Sequence, residues 1–463
     1  MSLKPVVFVP GFPGSELRKR SSGRKVFPPE PNELTSNKRK EELVRRLCAA
    51  GTAADELTAG PPIRQVLSIS KQADSLYEKL QEYGYTTQSG DNFRPVGWDW
   101  RKGVDDPEAQ GAVEAAIDEL AARNGGARVV LLVHSTGGLV ARSLLESRPQ
   151  LARKIGHILA FGVPWAGTLK SVRYLAKGER FGFPPASLSA SEVRQVMRHA
   201  QAAYDLFPPN PARTDLTDAS GAPLRLFVGA NGRQIAPLVD LGWAGASPDA
   251  AVVARAAIGE ARLGARTPEL RFGGETVPPV TNVVGWGAPT DIRCSVDGSG
   301  RLEFHSENSG DGTVPAASAA WIRGATIQTH FIPVGIYPSE SPRRHSRLWD
   351  APPTYALFDR VLRDAAPEPL VSGAADADEG CDRQGDAVTF RFAASDADGA
   401  PLTGATIQIP RLQIPRKGFR GGVRLDLSIP RSRLRPNAGE LLRFDALIEW
   451  DAGAREVPFL IPA

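Results

Sequence analysis

The feature that most constrains this chain is an apolar run that leads into a turn of small residues and then into a helix-like segment. Residues 129–133 are all Val or Leu, residues 134–138 read His-Ser-Thr-Gly-Gly, and residues 139–145 have helical character. An uninterrupted apolar run is typical of a parallel strand that is covered on both faces. This segment therefore predicts a strand–turn–helix unit within an α/β fold.

Further segments fit the same architecture. Apolar runs predict additional strands at residues 6–9, 155–163, 280–286 and 326–334. Apolar residues at helical spacing predict helices near residues 73–80, where Gly84 is expected as the C-cap, and over residues 112–122. Strands that alternate with helices imply a doubly wound, mostly parallel sheet.

The length of 463 residues exceeds what one hydrophobic core usually organises, so we expect more than one unit. We predict a large α/β domain over residues 1–365, with an irregular, charged surface excursion at residues 18–62 and an inserted cap at about residues 169–270. Residues 366–385, rich in Ala, Asp, Gly and Pro, are predicted to be a linker. Residues 386–463 alternate apolar and polar residues, which predicts a small all-β, sandwich-like accessory domain.

Charge and cysteine content exclude several classes of protein. The net charge is +4, and the Lys and Arg residues form no basic stripe interleaved with aromatics, so we expect no nucleic-acid partner. Cys48, Cys294 and Cys381 lie far apart, which argues against a structural zinc site, and we expect no metal. No apolar stretch is long enough to span a bilayer, and residue 1 leads directly into a strand without a signal-peptide pattern. These observations predict a soluble, cytoplasmic chain and leave export open.

The serine of the turn, Ser135, is the candidate nucleophile. A sharp strand-to-helix elbow lifts such a hydroxyl above the carboxyl ends of the strands, and the N–H of the next residue, Thr136, points at the developing oxyanion. The usual motif is G-x-S-x-G, and here Val133 stands in place of the first Gly. The alternative is therefore a strand-to-helix turn that contains an incidental serine.

A second oxyanion donor is expected from the loop that follows an early strand. Residues 10–14, Pro-Gly-Phe-Pro-Gly, are in the right position, with the N–H of Phe12 as the donor. A plain Gly/Pro turn is the alternative interpretation.

A catalytic acid and then a histidine should follow the nucleophile in chain order. Asp311 lies in the polar, Gly-rich segment 309–315, and His345 lies in a polar segment ahead of a final helix that the sequence predicts at residues 355–363. An Asp in such a turn is often structural, so Asp311 is a candidate because of its order in the chain. The other histidines adjoin the nucleophile, precede Asp311 or lie within a predicted strand, and they are His134, His157, His199, His305 and His330. We therefore predict a triad of Ser135, Asp311 and His345, in which Asp311 fixes the tautomer of the imidazole.

These residues and several short motifs resemble the lecithin:cholesterol acyltransferase family, which includes lysosomal phospholipase A and phospholipid:diacylglycerol acyltransferase. The resemblance covers roughly residues 4–363 and rests on six motifs in the family's order, namely Pro-Val-Val-Phe-Val-Pro-Gly at 5–11, Tyr-Gly-Tyr at 83–85 with Trp-Asp-Trp-Arg at 98–101, Val-His-Ser-Thr-Gly-Gly at 133–138, Gly-Val-Pro-Trp-Ala-Gly-Thr at 162–168, Gly-Asp-Gly-Thr-Val-Pro at 310–315, and a histidine, His345, before the final helix.

The resemblance implies acyl transfer from a glycerolipid to water or an alcohol, through an acyl-enzyme on Ser135 and without a cofactor. It implies that the domain over residues 1–365 is an α/β-hydrolase with a cap after Thr168, and it assigns Trp100 and Trp165 to substrate binding. Trp100 is equally explained as a packing residue. Secreted relatives tether a lipid-binding loop with a disulfide near the N-terminal insertion, whereas this region contains Cys48 alone and a charged segment at residues 37–42. These two departures do not support interfacial binding to a membrane.

Three functions remain open on the sequence alone. The first is a serine acyl hydrolase or O-acyltransferase that acts on lipid-like esters. The second is a soluble esterase or amidase with the same triad and a non-lipid substrate, and the third is a non-catalytic binding protein on a hydrolase scaffold. The presence of Ser135, Asp311 and His345 together argues against the third.

Overall fold

The structure of the protein is a computed structural model. It describes residues 3–66, 70–71, 73–87, 92–183, 186–207, 215–217, 254–255, 258–259, 261–262, 266–296, 302–322, 324, 326–334, 345–351, 353–363, 370–375, 387–395, 406–412, 414–418, 424–430, 442–450 and 453–461.

The elements alternate along the chain. The strands are β1 Val6–Val9, β2 Ser15–Lys19, β3 Lys25–Phe27, β4 Leu57–Pro62, β5 Gln65–Val66, β6 Ser70–Lys71, β7 Phe93–Pro95, β8 Val129–His134, β9 Ile155–Phe161, β10 Phe181–Phe183, β11 Ala186–Leu188, β12 Asp215–Thr217, β13 Val280–Trp286, β14 Ala288–Val296, β15 Leu302–Gly310, β16 Ile327–Pro333, β17 Leu370–Ala375, β18 Ala387–Ser395, β19 Thr406–Ile409, β20 Ile414–Gly418, β21 Arg424–Pro430, β22 Leu442–Trp450 and β23 Gly453–Ile461. The helices are α1 Asn37–Cys48, α2 Asp74–Glu82, α3 Pro107–Arg123, α4 Gly137–Ser147, α5 Leu169–Ala176, α6 Ala190–Arg198, α7 Gln201–Asp205, α8 Ala316–Ala319 and α9 Pro353–Arg363, with short 3-10 turns at Pro31–Leu34, Pro149–Lys154, His345–Asp350 and Pro410–Leu412.

Within the residues that the structure describes, six parallel strands form the central sheet in the order β16-β13-β9-β8-β1-β7. The chain passes from β1 to the edge strand β7 and then returns to the other side of β1 as β8. The direction of strand addition therefore reverses between β1 and β8. In open α/β sheets, ligands bind at such a switch point, beyond the carboxyl ends of the strands.

Helices cover both faces of this sheet. Alternate residues of β1 and β8 contribute to two separate apolar clusters, because successive side chains of a strand point to opposite faces. One cluster contains the inward sides of α3 and α4, and the other contains those of α2 and α9. All six residues of β8 are Val, Leu or His, and each is less than a tenth exposed. Both faces of β8 are therefore buried.

The predicted fold class, a doubly wound α/β-hydrolase sheet, is confirmed by this topology. Strand β1 has the predicted bounds, β9, β13 and β16 lie within the predicted apolar runs, and β8 covers its predicted run and extends one residue further, to His134. Helix α2 ends before Gly84, whose φ of +92° is that of a C-cap glycine.

The prediction that residues 18–62 are irregular is wrong. This region contains helix α1 and most of an antiparallel sheet of order β3-β2-β4. In α1 the apolar residues Leu43, Val44 and Leu47 share one buried face, while the surrounding Lys, Arg and Glu residues lower the mean hydropathy and hide that pattern.

The predicted cap begins with α5, β10, β11, α6 and α7, and most of residues 208–265 lies outside the described residues. The predicted linker contains strand β17, which pairs antiparallel with β18, so the C-terminal strands begin earlier than expected. Strands pair through backbone groups, and the Ser, Gly and Ala residues of β17 give its sequence no clear apolar pattern. Composition alone therefore indicated a linker. The C-terminal strands form two antiparallel sheets, β17-β18-β21 and β20-β19-β22-β23, and the domain boundaries stay a prediction.

Candidate active site

Ser135 lies at the carboxyl end of β8, next to the switch point of the sheet. Its φ is +50°, and Ser135 alone of the described non-glycine residues has a positive φ. Its N–H donates to the carbonyl of Phe161 at 2.9 Å, which ties the elbow to the end of β9. A serine in this sparsely populated region is held there by its surroundings, and such outliers cluster at functional sites. The elbow forms even though Val133 replaces the usual glycine, and Val133 is fully buried.

The three predicted triad residues are joined by hydrogen bonds. Nε2 of His345 lies 2.8 Å from Oγ of Ser135, and Nδ1 of His345 lies 2.6 Å from Oδ2 of Asp311. A carboxylate oxygen can only accept, so Nδ1 carries the proton and Nε2 is left to accept the hydroxyl proton of Ser135. The arrangement is that of a nucleophile, a base and an orienting acid, and the catalytic roles themselves stay a prediction.

The carboxylate of Asp311 is fixed from its other side. Its Oδ1 accepts from the backbone N–H groups of Thr313 and Val314, at 3.0 and 2.8 Å. Asp311 itself is only 1% exposed. It follows β15, the second strand of the antiparallel hairpin β14–β15, rather than the end of a parallel strand. Residue 311 bridges to Ala288, the first residue of the hairpin, which lies two residues after the end of β13, so the hairpin returns the acid to the carboxyl end of a central strand.

Two glycines that the sequence analysis did not single out allow this close packing. A Cβ on Gly11 would lie 2.6 Å from Cβ of Ser135, so the loop after β1 lies directly against the nucleophile. Gly162, directly after β9, has a φ of +55°, and a Cβ there would lie 3.1 Å from both Oδ2 of Asp311 and Cε1 of His345. Gly162 directly follows β9 and Gly11 follows β1 after one proline, and this position at the end of an apolar strand is the signal that could have identified them.

The two predicted oxyanion donors, Phe12 and Thr136, directly follow the two residues in close contact, Gly11 and Ser135. Thr136 follows Ser135 and is fully buried at the start of α4, while Phe12 follows Gly11 and packs edge-on against Trp100 at 5.5 Å between ring centroids. The loop after β1 and the elbow after β8 therefore meet where an oxyanion hole requires them to meet. The donor roles of the Phe12 and Thr136 N–H groups stay predictions.

The tryptophans that the resemblance assigned to substrate binding are buried. Trp100 has no exposed surface, and its Nε1–H donates to the carbonyl of Ser15 at 3.3 Å. Trp165 is 2% exposed, and its Nε1–H donates to Oδ1 of Asn282 at 3.1 Å. Because both ring nitrogens are bonded inside the protein, the structure favours the packing role, and substrate contact by either ring stays a prediction.

His134 adjoins the nucleophile, and the sequence analysis rejected it as the base without giving it another role. It is 8% exposed, and its Nε2 lies 3.0 Å from the backbone carbonyl oxygen of His345. Burial, together with the proximity of His345, lowers the pKa of His134 to about 3. It is therefore a neutral imidazole within the site.

The described part of the chain shows neither a metal-binding cluster nor a membrane-spanning helix. Among those residues, no group of three or more His, Cys, Asp or Glu side chains is arranged to hold a metal ion. No described helix combines the length and the apolar character needed to cross a bilayer.

The chain is similar to known acyltransferases over its N-terminal half. Residues 62–224 match the model of the family described as lecithin:cholesterol acyltransferase. The lysosomal phospholipase A and acyltransferase of Homo sapiens is 32% identical over 150 residues, which are 31% of this chain and 34% of the relative. The lecithin-cholesterol acyltransferase-like 1 protein of Arabidopsis thaliana is 29% identical over 218 residues, 46% of this chain and 47% of the relative.

The chain thus spans between about a third and about a half of the length of these curated relatives. Among solved structures, the Tle4–Tli4 complex contains a chain with a TM-score of 0.42 and 15% identity, covering 71% of this chain and 91% of that one. The fold assignment rests on the sheet order rather than on that distant likeness. Residues 62–224, which carry the elbow at Ser135, are thus similar to the lecithin:cholesterol acyltransferase family.

Proposed function

We propose that this protein is a serine acyl hydrolase or O-acyltransferase that acts on lipid-like esters through an acyl-enzyme on Ser135. The observation that carries the proposal is the hydrogen-bonded chain from Ser135 through His345 to Asp311, with both bonds shorter than 3.0 Å. The match of residues 62–224 to the lecithin:cholesterol acyltransferase model supports an ester of a fatty acid as the substrate.

The reaction follows from this geometry. Oγ of Ser135 attacks the ester carbonyl carbon while Nε2 of His345 takes the hydroxyl proton, and the carbonyl π electrons move onto oxygen. The N–H groups of Phe12 and Thr136 stabilise that oxyanion. When the intermediate collapses, the ester C–O bond breaks and the leaving alcohol takes the proton from His345, which leaves the acyl group on Ser135.

The second half of the reaction regenerates the serine. Water or an alcohol gives a proton to Nε2 of His345 as its oxygen attacks the acyl-enzyme, and Ser135 leaves with that proton. Throughout both halves, Asp311 holds the Nδ1 proton and stabilises the imidazolium by its negative charge. Hydrolysis and transfer differ only in the acceptor that reaches the acyl-enzyme, so both belong to the proposal.

The nucleophile is tested with a fluorophosphonate probe, which labels activated serines covalently. We expect the wild-type protein to be labelled at Ser135, Ser135→Ala to show no labelling, and His345→Ala to be labelled at least about a hundredfold more slowly because the base is missing. Ser143→Ala, on α4 behind the elbow, is the matched control and should be labelled at the wild-type rate. Labelling of Ser135→Ala, or a wild-type rate in His345→Ala, would contradict the proposal.

The substrate class and acceptor are tested by product analysis. We expect p-nitrophenyl esters of medium and long acyl chains to be cleaved faster than the acetyl ester, and a radiolabelled phospholipid to yield free fatty acid. Adding a long-chain alcohol should divert part of the acyl group into a new ester if the protein is a transferase. Activity confined to acetyl esters would favour the alternative, an esterase with a non-lipid substrate.

A further inference from the structure

We propose that His134 is a positioning residue, which fixes the main chain of His345 and thereby holds the imidazole of His345 against Ser135. The inference rests on the proposed function, because it assigns a role within the same site. It adds a fourth side chain to the machinery, one that acts on the base through the base's own backbone.

The first observation is the hydrogen bond itself. Nε2 of His134 lies 3.0 Å from the carbonyl oxygen of His345, and a carbonyl can only accept, so His134 donates through Nε2–H. The strand that ends in the nucleophile therefore also anchors the residue that carries the base. Because Ser135 and His134 are adjacent, a single backbone segment sets the position of Oγ and of the anchor.

The second observation is that the rest of the turn is held as well. Trp349 lies at the far end of the 3-10 turn His345–Asp350, and its Nε1–H donates to Oγ of Ser75 at 3.0 Å. The ring of Trp349 packs edge-on against His134 with centroids 5.0 Å apart. The base-bearing turn is thus fixed by a hydrogen bond at its first residue and by aromatic packing at its fifth.

The third observation is electrostatic. The rings of His134 and His345 have centroids only 4.9 Å apart, and His345 becomes a cation during the reaction. A permanently charged donor at position 134, such as Lys, would oppose that charge in a buried site. Burial, with His345 as the second cause, lowers the pKa of His134 to about 3, so the anchor stays neutral while the base is charged.

A purely space-filling role for His134 makes a different prediction about substitutions. Gln reaches as far as Nε2 of histidine and can donate from its amide, whereas Phe fills the volume without a donor and Asn is too short to reach the carbonyl of His345. Under the proposal His134→Gln retains most activity and His134→Phe and His134→Asn do not. Under a space-filling role, His134→Phe is the better tolerated substitution.

The test measures kcat and KM for p-nitrophenyl butyrate hydrolysis. We expect His134→Phe to lower kcat by about tenfold to a hundredfold, since a shift of the base by a fraction of an ångström is enough, and to leave KM unchanged. His134→Gln should remain within about threefold of wild type. Thermal unfolding of the same variants identifies any that fail to fold, and the comparison of Gln with Phe is then made among folded proteins.

A double substitution separates positioning from a general structural effect. In a His345→Ala background there is no imidazole to position, so adding His134→Phe should leave the fluorophosphonate labelling rate of Ser135 unchanged. A further drop of the size seen in the wild-type background, or a fully active His134→Phe, would overturn the inference. If Ser135→Ala keeps full activity, the proposed function fails instead, and the two failures are told apart by that variant.

Discussion

At the scale of single residues, the site depends on glycines, which have no side chain, as much as on the residues that supply the reactive groups. Ser135 and the loop after β1 approach so closely that a Cβ on Gly11 would lie 3.1 Å from the Ser135 hydroxyl oxygen and 3.2 Å from Nδ1 of His134. A methyl group at this position must displace the nucleophile, because Cβ atoms essentially never lie 2.6 Å apart, as they would here.

We therefore expect Gly11→Ala to lower kcat by about a hundredfold while the protein remains folded, because moving a reacting atom by about 1 Å can lower the rate by that factor. Measured kcat with p-nitrophenyl butyrate and the thermal midpoint test the prediction. Gly111→Ala is the matched control, because a Cβ at Gly111 meets no atom within 4 Å. Unchanged activity in Gly11→Ala would mean that the loop after β1 yields without disturbing Ser135.

The candidate triad was predictable at this scale because few residues compete for each role. Six histidines in 463 residues leave one that follows Asp311 outside a predicted strand. The anchor His134 was not predictable, because its partner is a backbone carbonyl 211 positions away in sequence. Only the folded sheet brings the end of β8 to the start of the turn that carries His345.

At the scale of elements, the parallel strands were predictable and the antiparallel excursions were not. Strand β8 is buried on both faces and has a continuous apolar run, and β9 and β13 are mostly buried and mostly apolar, so all three stand out in the sequence. Strand β15, which delivers Asp311, is half exposed and polar, with the sequence Leu-Glu-Phe-His-Ser-Glu-Asn-Ser-Gly, so no apolar run marks it. Asp311 could therefore be predicted from its motif and its position in the chain after Ser135, whereas the hairpin that positions it could not.

Helix α3 offers a test at this scale. It begins after Asp106, whose side chain accepts from the N–H of Ala109, and it carries Gly111 in its interior. A glycine in a helix interior is less favourable than alanine by about 0.5–1 kcal/mol because of its backbone entropy. We expect Gly111→Ala to raise the free energy of unfolding in urea by about that amount. Gly125→Ala, beyond the end of α3, is the contrasting variant: its φ of +66° strains an alanine, so its stability should fall. Equal effects of the two substitutions would contradict this account.

At the scale of the whole molecule, the buried His134 and His330 and the partly buried His157 link stability to pH. Burial lowers the pKa of His134 and of His157 to about 3, and that of His330 to about 4, with nearby His345 or cationic groups such as Lys4 and Arg360 adding to the effect. In the unfolded chain each imidazole has a pKa near its ordinary value of about 6.5. The unfolded state therefore binds more protons than the folded state below that pH, and stability is lost as the pH falls from about 6.5 towards about 4.

We expect the urea unfolding free energy to be nearly constant above about pH 7 and to fall between about pH 6 and about pH 4, with each buried histidine contributing a slope of up to about 1.4 kcal/mol per pH unit. Carboxylates also titrate towards the acid end of this range, so the slope of the wild-type protein alone does not identify the histidines. His330→Phe isolates one of them, because neither of its ring nitrogens has a hydrogen-bond partner among the described residues and Phe fills a similar volume.

This variant should unfold with a pH slope reduced by up to about 1.4 kcal/mol per unit and gain stability relative to wild type as the pH falls. His305→Gln, at an exposed position on β15, is the matched control and should keep the wild-type slope. A His330→Phe slope equal to that of His305→Gln would mean that His330 gains its proton without unfolding. The folded protein would then hold a charged His330 imidazole in β16 despite its burial. Burial would in that case not be enough to keep His134 neutral beside His345 either.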